Sequence, residues 1–97
     1  MIGLVLILSA AQVSPGISGA GNTPCTALQP EQMQRVGDYV TGFWSGMNVA
    51  SNTPSVGHST DERGILLEVI RACEAAPKLT IALATIAVHM RFEREKR

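Results

Sequence analysis

The stretch STDERGILLEVIRACEAAP, residues 59–77, reads as one helix with both ends marked. Ser59-Thr60-Asp61-Glu62 fits a capping box, in which the serine oxygen caps a free N–H and the glutamate reaches back. Asp61 and Glu62 also suit the positive end of a helix dipole. Leu66, Val69, Ile70 and Cys73 recur at helical spacing, with Ile65 and Leu67 broadening that apolar face. Ala75-Ala76-Pro77 closes the segment, because the residue before a proline disfavours helical angles. Cys73 therefore sits near a helix end and turns towards a core.

Upstream, a helix is predicted to start near Pro30 or Glu31, since proline suits a first turn whose N–H groups have no helical partner. Met33, Val36, Val40, Phe43 and Met47 form its apolar stripe, flanked by Tyr39 and Trp44. Gly37, Gly42 and Gly46 each cost about 1 kcal/mol relative to Ala inside a helix. Two readings account for Gly42-xxx-Gly46: a close approach by a neighbouring element, or a frayed last turn near Gly46. Residues 48–58 (NVASNTPSVGH) have linker composition and no helical period. Residues 21–29 are expected to form an extended arm carrying Cys25.

Downstream, Pro77 is expected to open a third helix running to about Glu93. Leu79, Ala82, Leu83, Ile86, Met90 and Glu93 trace its expected inner face, with His89 at the edge of that stripe. Residues 92–97 (FEREKR) read as a charged tail whose cations suit a helix C-terminus. The fold class is all-α: a small domain of three to four helices with one disulfide, preceded by a signal peptide.

The signal reading rests on residues 1–20. IGLVLILSAA, residues 2–11, is apolar; Pro15-Gly16 breaks it; Ser18-Gly19-Ala20 offers a small-x-small cleavage site. No Lys or Arg precedes the apolar run. A membrane span needs roughly 20 apolar residues, more than this run supplies. Cleavage after Ala20 leaves a domain of residues 21–97 in the periplasm or outside the cell. In that setting the only two cysteines, Cys25 and Cys73, are expected to pair rather than remain buried free thiols. A loop of 48 residues stabilises by about 4 kcal/mol on the chain-entropy model.

All eight acidic and all eight basic side chains fall in residues 21–97, so that domain is formally neutral. Charge thus disfavours a nucleic-acid partner, and no membrane contact is expected after signal cleavage. No spacing of Cys, His or carboxylates suggests a metal, a cofactor or a catalytic constellation. The chain is therefore expected not to be an enzyme. His58 reads as a loop residue and His89 as a partly exposed one. Phe43, Trp44 and Met47 are the candidate contact residues for a protein partner, with Trp44 the best placed for partial exposure; the alternative is that they fill the core. Self-association into a homodimer is left open.

The pattern resembles the HdeA/HdeB-like periplasmic acid-stress chaperones. The matching parts are Cys25, the segment YVTGFWSGMN at residues 39–48, the helix of residues 61–73, then Pro77 and the alanine-rich helix with Leu83. The cysteines, the glycines and Pro77 are the distinctive positions. The resemblance implies an all-α fold with one disulfide, inactive near neutral pH, that loosens in acid and binds unfolding clients. Exported immunity proteins against type VI secretion effectors look similar in the Tyr-Val-x-Gly segment and the cysteine-bearing helix. They usually carry a second cysteine pair, which this chain lacks. Function is therefore expected to be protein binding, as an acid-activated chaperone or, alternatively, as an inhibitor of one specific partner.

Overall fold

Helix α1 (Met33–Ala50) grows out of a 3-10 turn at Pro30–Gln32 in the computed structural model, which describes residues 19–53 and 55–97. Gln29 and Gln32 cap each other there: the Gln29 N–H donates to Gln32 Oε1 at 3.1 Å, and the Gln29 side chain accepts from the Gln32 backbone. The helix outlasts its expected end. Asn52 takes a left-handed φ of 57°. The N–H groups of Asn52 and Thr53 then turn back to Val49 O and Asn48 O, at 3.3 and 2.9 Å. This is the pattern of a Schellman stop, in which asparagine tolerates the position usually held by glycine. Residues 48–50, expected in the linker, are thus helical.

Helix α2 (Glu62–Ala75) is capped by Asp61, not Ser59: Asp61 Oδ1 accepts from the Gly64 N–H at 2.9 Å. Thr60 Oγ1 lies over Gly64 where a Cβ would stand, so a larger residue there would have to turn the Thr60 side chain aside. Helix α3 (Ile81–Arg94) starts later than expected, with Thr80 Oγ1 accepting from the Leu83 N–H at 3.3 Å. Pro77 opens a turn instead of a helix, because the backbone just before α3 is engaged elsewhere. Leu79 O accepts from the Cys25 N–H at 2.8 Å, and the Ile81 N–H donates to Thr23 O at 3.0 Å. The arm is accordingly not simply extended. It carries 3-10 turns at Gly19–Asn22 and Cys25–Ala27 around this short pairing.

Cys25 and Cys73 are joined in a disulfide with Cα atoms 5.2 Å apart, tying the arm to the end of α2. Each helix packs on the other two. Val36, Val40 and Trp44 of α1, Val69 and Cys73 of α2, and Ile81, Ala84, Val88 and Phe92 of α3 make the core. Three expectations are corrected here. Of the expected inner face of α3 Ala82 is buried, but the core stripe is Ile81, Thr85, Val88 and Phe92, and Met90 is 57% exposed. Phe92 lies in the core instead of starting a solvated tail. Leu67 is largely exposed and does not broaden the inner face of α2. Polar members of the α3 stripe are satisfied inside: Thr85 Oγ1 donates to Ile81 O at 2.7 Å.

The glycines also differ from expectation. A Cβ at Gly42 or Gly46 would meet nothing within 4 Å, so neither marks a close approach. Gly37 does, with Leu66 Cδ2 at 3.3 Å from such a Cβ where α1 crosses α2. Of the expected signal segment, residues 1–18 lie outside the described residues. Ala20 and Gly21 are buried, in a turn that packs on α1 and α3. Among the described residues no helix is long and apolar enough to cross a membrane.

Candidate functional site

The three candidate contact residues separate along α1. Phe43 and Met47 are half-buried, and Phe43 pairs with Tyr39 at 5.5 Å between ring centroids. Trp44 is 4% exposed, so the expectation of a partly exposed indole is corrected. Positions 36, 40 and 44 follow one another at four-residue steps and point into the three-helix contact, whereas 43 and 47 fall on its margin.

Around Trp44 the structure assembles groups that the sequence left apart. Its ring meets Phe92 edge-on at 5.4 Å and His89 at 4.8 Å, both from α3. The indole Nε1–H donates to Val56 O at 2.8 Å. The same carbonyl accepts from Asn48 Nδ2 at 3.0 Å. Asn48 Oδ1 in turn faces His89 Nε2 at 2.7 Å. A carbonyl oxygen only accepts, so Nε2 carries the proton in this bond. Four residues from α1, α3 and the following loop thus share one polar chain inside an apolar contact.

His89 is buried rather than partly exposed. Burial pushes its imidazole below the ordinary histidine range, and the Glu93 carboxylate, one turn on, works against that shift. Gly57 closes the cluster from the loop side. Its φ is +97°, and a Cβ there would stand 2.8 Å from Trp44 Nε1, so both backbone angle and space call for glycine. His58 is exposed, with Nε2 3.3 Å from Lys96 O.

Two concavities flank this centre. An open groove of about 640 Å³ runs between α1 and the start of α2, with Met33, Gly37 and Leu66 against Asp38, Asp61 and Glu62. A smaller one, about 380 Å³, lies between residues 52–58 and the end of α3. Among the described residues no group of three or more His, Cys, Asp or Glu side chains converges as a metal set would. Both thiols are consumed in the disulfide.

Asn48, Val56, Gly57 and Phe92 were missed as site residues. Asn48 stood at the edge of a linker by composition, and Phe92 was grouped with the charges that follow it. The available signals were Ile81, Val88 and Phe92 at helical spacing, and Asn52 as a helix stop. No family model, curated protein or solved structure matches this chain. Among the described residues the fold is a disulfide-stapled three-helix domain with a buried histidine beside its single tryptophan.

Proposed function

We propose that this chain is an exported, non-catalytic helical domain that binds other proteins, and that acid converts it into a periplasmic chaperone for unfolding clients. The observation that carries the proposal is the placement of His89. A group that titrates in mild acid is buried between α1 and α3 against Trp44 and Asn48, while the covalent staple lies at the opposite end of α3.

The sign follows from burial. The unfolded imidazole titrates near its reference value of about 6.5, and the folded one below it. Between those values the unfolded state binds more protons, so stability falls as pH drops below about 6.5 through the folded value. Above the unfolded value the contribution is fully present. Deeper acid adds a second term. Eight carboxylates neutralise, eight Lys/Arg stay charged and two His gain a charge, a shift from 0 to about +10 before termini. Self-repulsion on that scale loosens a small domain. The disulfide keeps the arm, α1 and α2 in one tethered loop, and Trp44, Phe92, Phe43 and Met47 become available to apolar segments.

The test is light scattering of an aggregation-prone client at about pH 2–3 and at pH 7 with the oxidised protein present. Suppression in acid alone is expected; no suppression in acid overturns the proposal. One observation favours the inhibitor reading instead: the α1–α2 groove is open in the folded state, with apolar Met33 and Leu66 beside the charged Asp38, Asp61, Glu62 and Arg63. A stable stoichiometric complex with one partner, recovered at pH 7, would support that reading.

A further inference from the structure

Exposed large apolar side chains stand singly on this molecule: Val49, Leu67 and Met90 lie on α1, α2 and α3 respectively. Scattered residues of that kind are ordinary on a folded surface. The groove between α1 and the start of α2 is different, because it gathers apolar and charged groups into one concavity. Met33, Gly37 and Thr41 run along its α1 wall at four-residue steps, a length of about 12 Å. Leu66 faces them from α2. A Cβ at Gly37 would stand 3.3 Å from Leu66 Cδ2, so the floor is low where the two helices meet. Charge is uneven there as well. The chain holds eight acidic and eight basic residues, yet the groove takes three carboxylates, Asp38, Asp61 and Glu62, against one guanidinium, Arg63. Ion pairs among the described residues join Glu68 to Arg71 and Arg91, and Glu95 to Arg97, and use none of these four. Asp61 and Glu62 have a local role at the start of α2. Asp38 has no such role: it is exposed in the middle of α1.

We infer that this groove is the docking site, in the folded state, for an extended segment of a partner protein that carries an aliphatic side chain between lysines or arginines. The inference rests on the protein-binding part of the proposed function and is independent of acid activation. The aliphatic group rests on Met33 and Leu66, and the flexible methionine adapts to its shape. The flanking cations face Asp38 and Glu62, and the excess of carboxylates disfavours an acidic segment of the same size. An extended chain advances about 3.3 Å per residue, so about four residues span the α1 wall.

The test uses two capped synthetic peptides, KALKALK and EALEALE, which differ only in the sign of their charges. Each is titrated into the oxidised protein at pH 7 and low salt. Proton–carbon NMR follows the Met33 and Leu66 methyls, with those of Met90 and Val49 as controls. KALKALK is expected to shift Met33 and Leu66 and to leave Met90 and Val49 in place. Its affinity falls severalfold as salt is raised, because salt screens exposed charges. EALEALE shifts none of the four. Asp38→Lys replaces one exposed attraction with a repulsion, so it weakens KALKALK by about fivefold, with unchanged circular dichroism. Binding by neither peptide overturns the inference. So do equal affinities for the two, equal shifts at Met90 and Val49, or an affinity indifferent to Asp38→Lys. Should Asp38→Lys disturb the fold, the comparison of peptides on the wild type still decides. Acid suppression of client aggregation without binding of KALKALK removes the docking site and leaves the chaperone. Groove binding without that suppression leaves the docking site and removes the chaperone.

Discussion

His89 is the residue on which the chemistry of this domain turns. It donates to Asn48 Oδ1 and lies against the Trp44 ring, so its neutral form is matched and its charged form is opposed by lost hydration. The urea midpoint of the oxidised protein is therefore expected to fall between about pH 7.5 and pH 5.5, the side on which a depressed histidine loses stability. His89→Gln keeps a donor towards Asn48 but does not titrate, so its midpoint should change less over the same interval. An equal fall in both proteins would assign the pH dependence to other groups. At the same scale, Lys96 occupies a left-handed φ of 58° at the end of α3. The Arg97 N–H that follows bonds Phe92 O at 2.8 Å, and its guanidinium lies 4.1 Å over the Phe92 ring. A tail that looks purely solvated in composition is thereby a helix stop joined to the core.

Among the elements, α1 carries the clearest test. Gly42 and Gly46 face open space, and their positions are helical and exposed. Replacing either with Ala removes a backbone-entropy cost without meeting a neighbour. Each substitution should raise stability by up to about 1 kcal/mol, read as a higher melting temperature with unchanged helix content. Loss of stability on either change would mean that a partner element approaches there after all. Gly37 differs, because Leu66 already fills the space beside it. α2 and α3 are joined on the outside by Glu68, which pairs with Arg91 at 2.6 Å and with Arg71 at 3.2 Å. Partly exposed pairs of this kind contribute roughly 0–1 kcal/mol. They align the two helices more than they hold them.

For the molecule as a whole, the disulfide and the His89 cluster divide the labour. The disulfide joins the arm to the end of α2, and two backbone bonds continue that junction to the start of α3. The cluster holds α1, α3 and the loop at the other end of α3. Reduction opens a 48-residue separation, which should lower stability by about 4 kcal/mol on the chain-entropy model. For a domain this small that is comparable to its entire net stability. A melting temperature that does not move after confirmed reduction would contradict this division. Acid and reductant are thus expected to act at different ends. Acid without reductant is expected to leave a loosened, tethered chain, and both together a fully unfolded one.

Three helices and their order were legible in the sequence because apolar periodicity and proline placement act locally, and a count of two cysteines left Cys25–Cys73 as the one bond available, with free thiols the alternative until the structure joined them. The sequence marked two of the residues in the central cluster, Trp44 and His89, but placed both towards the surface. Tertiary structure decided which face of α3 turns inward. That helix is apolar on two stripes, Leu83-Ile86-Met90 and Ile81-Val88-Phe92, and spacing cannot rank them. The second stripe wins although it includes Thr85 and His89, since Thr85 bonds its own helix and His89 finds Asn48, 41 positions away. A buried polar group is tolerable only where a partner meets it, and that partner exists only once α1 and α3 have come together.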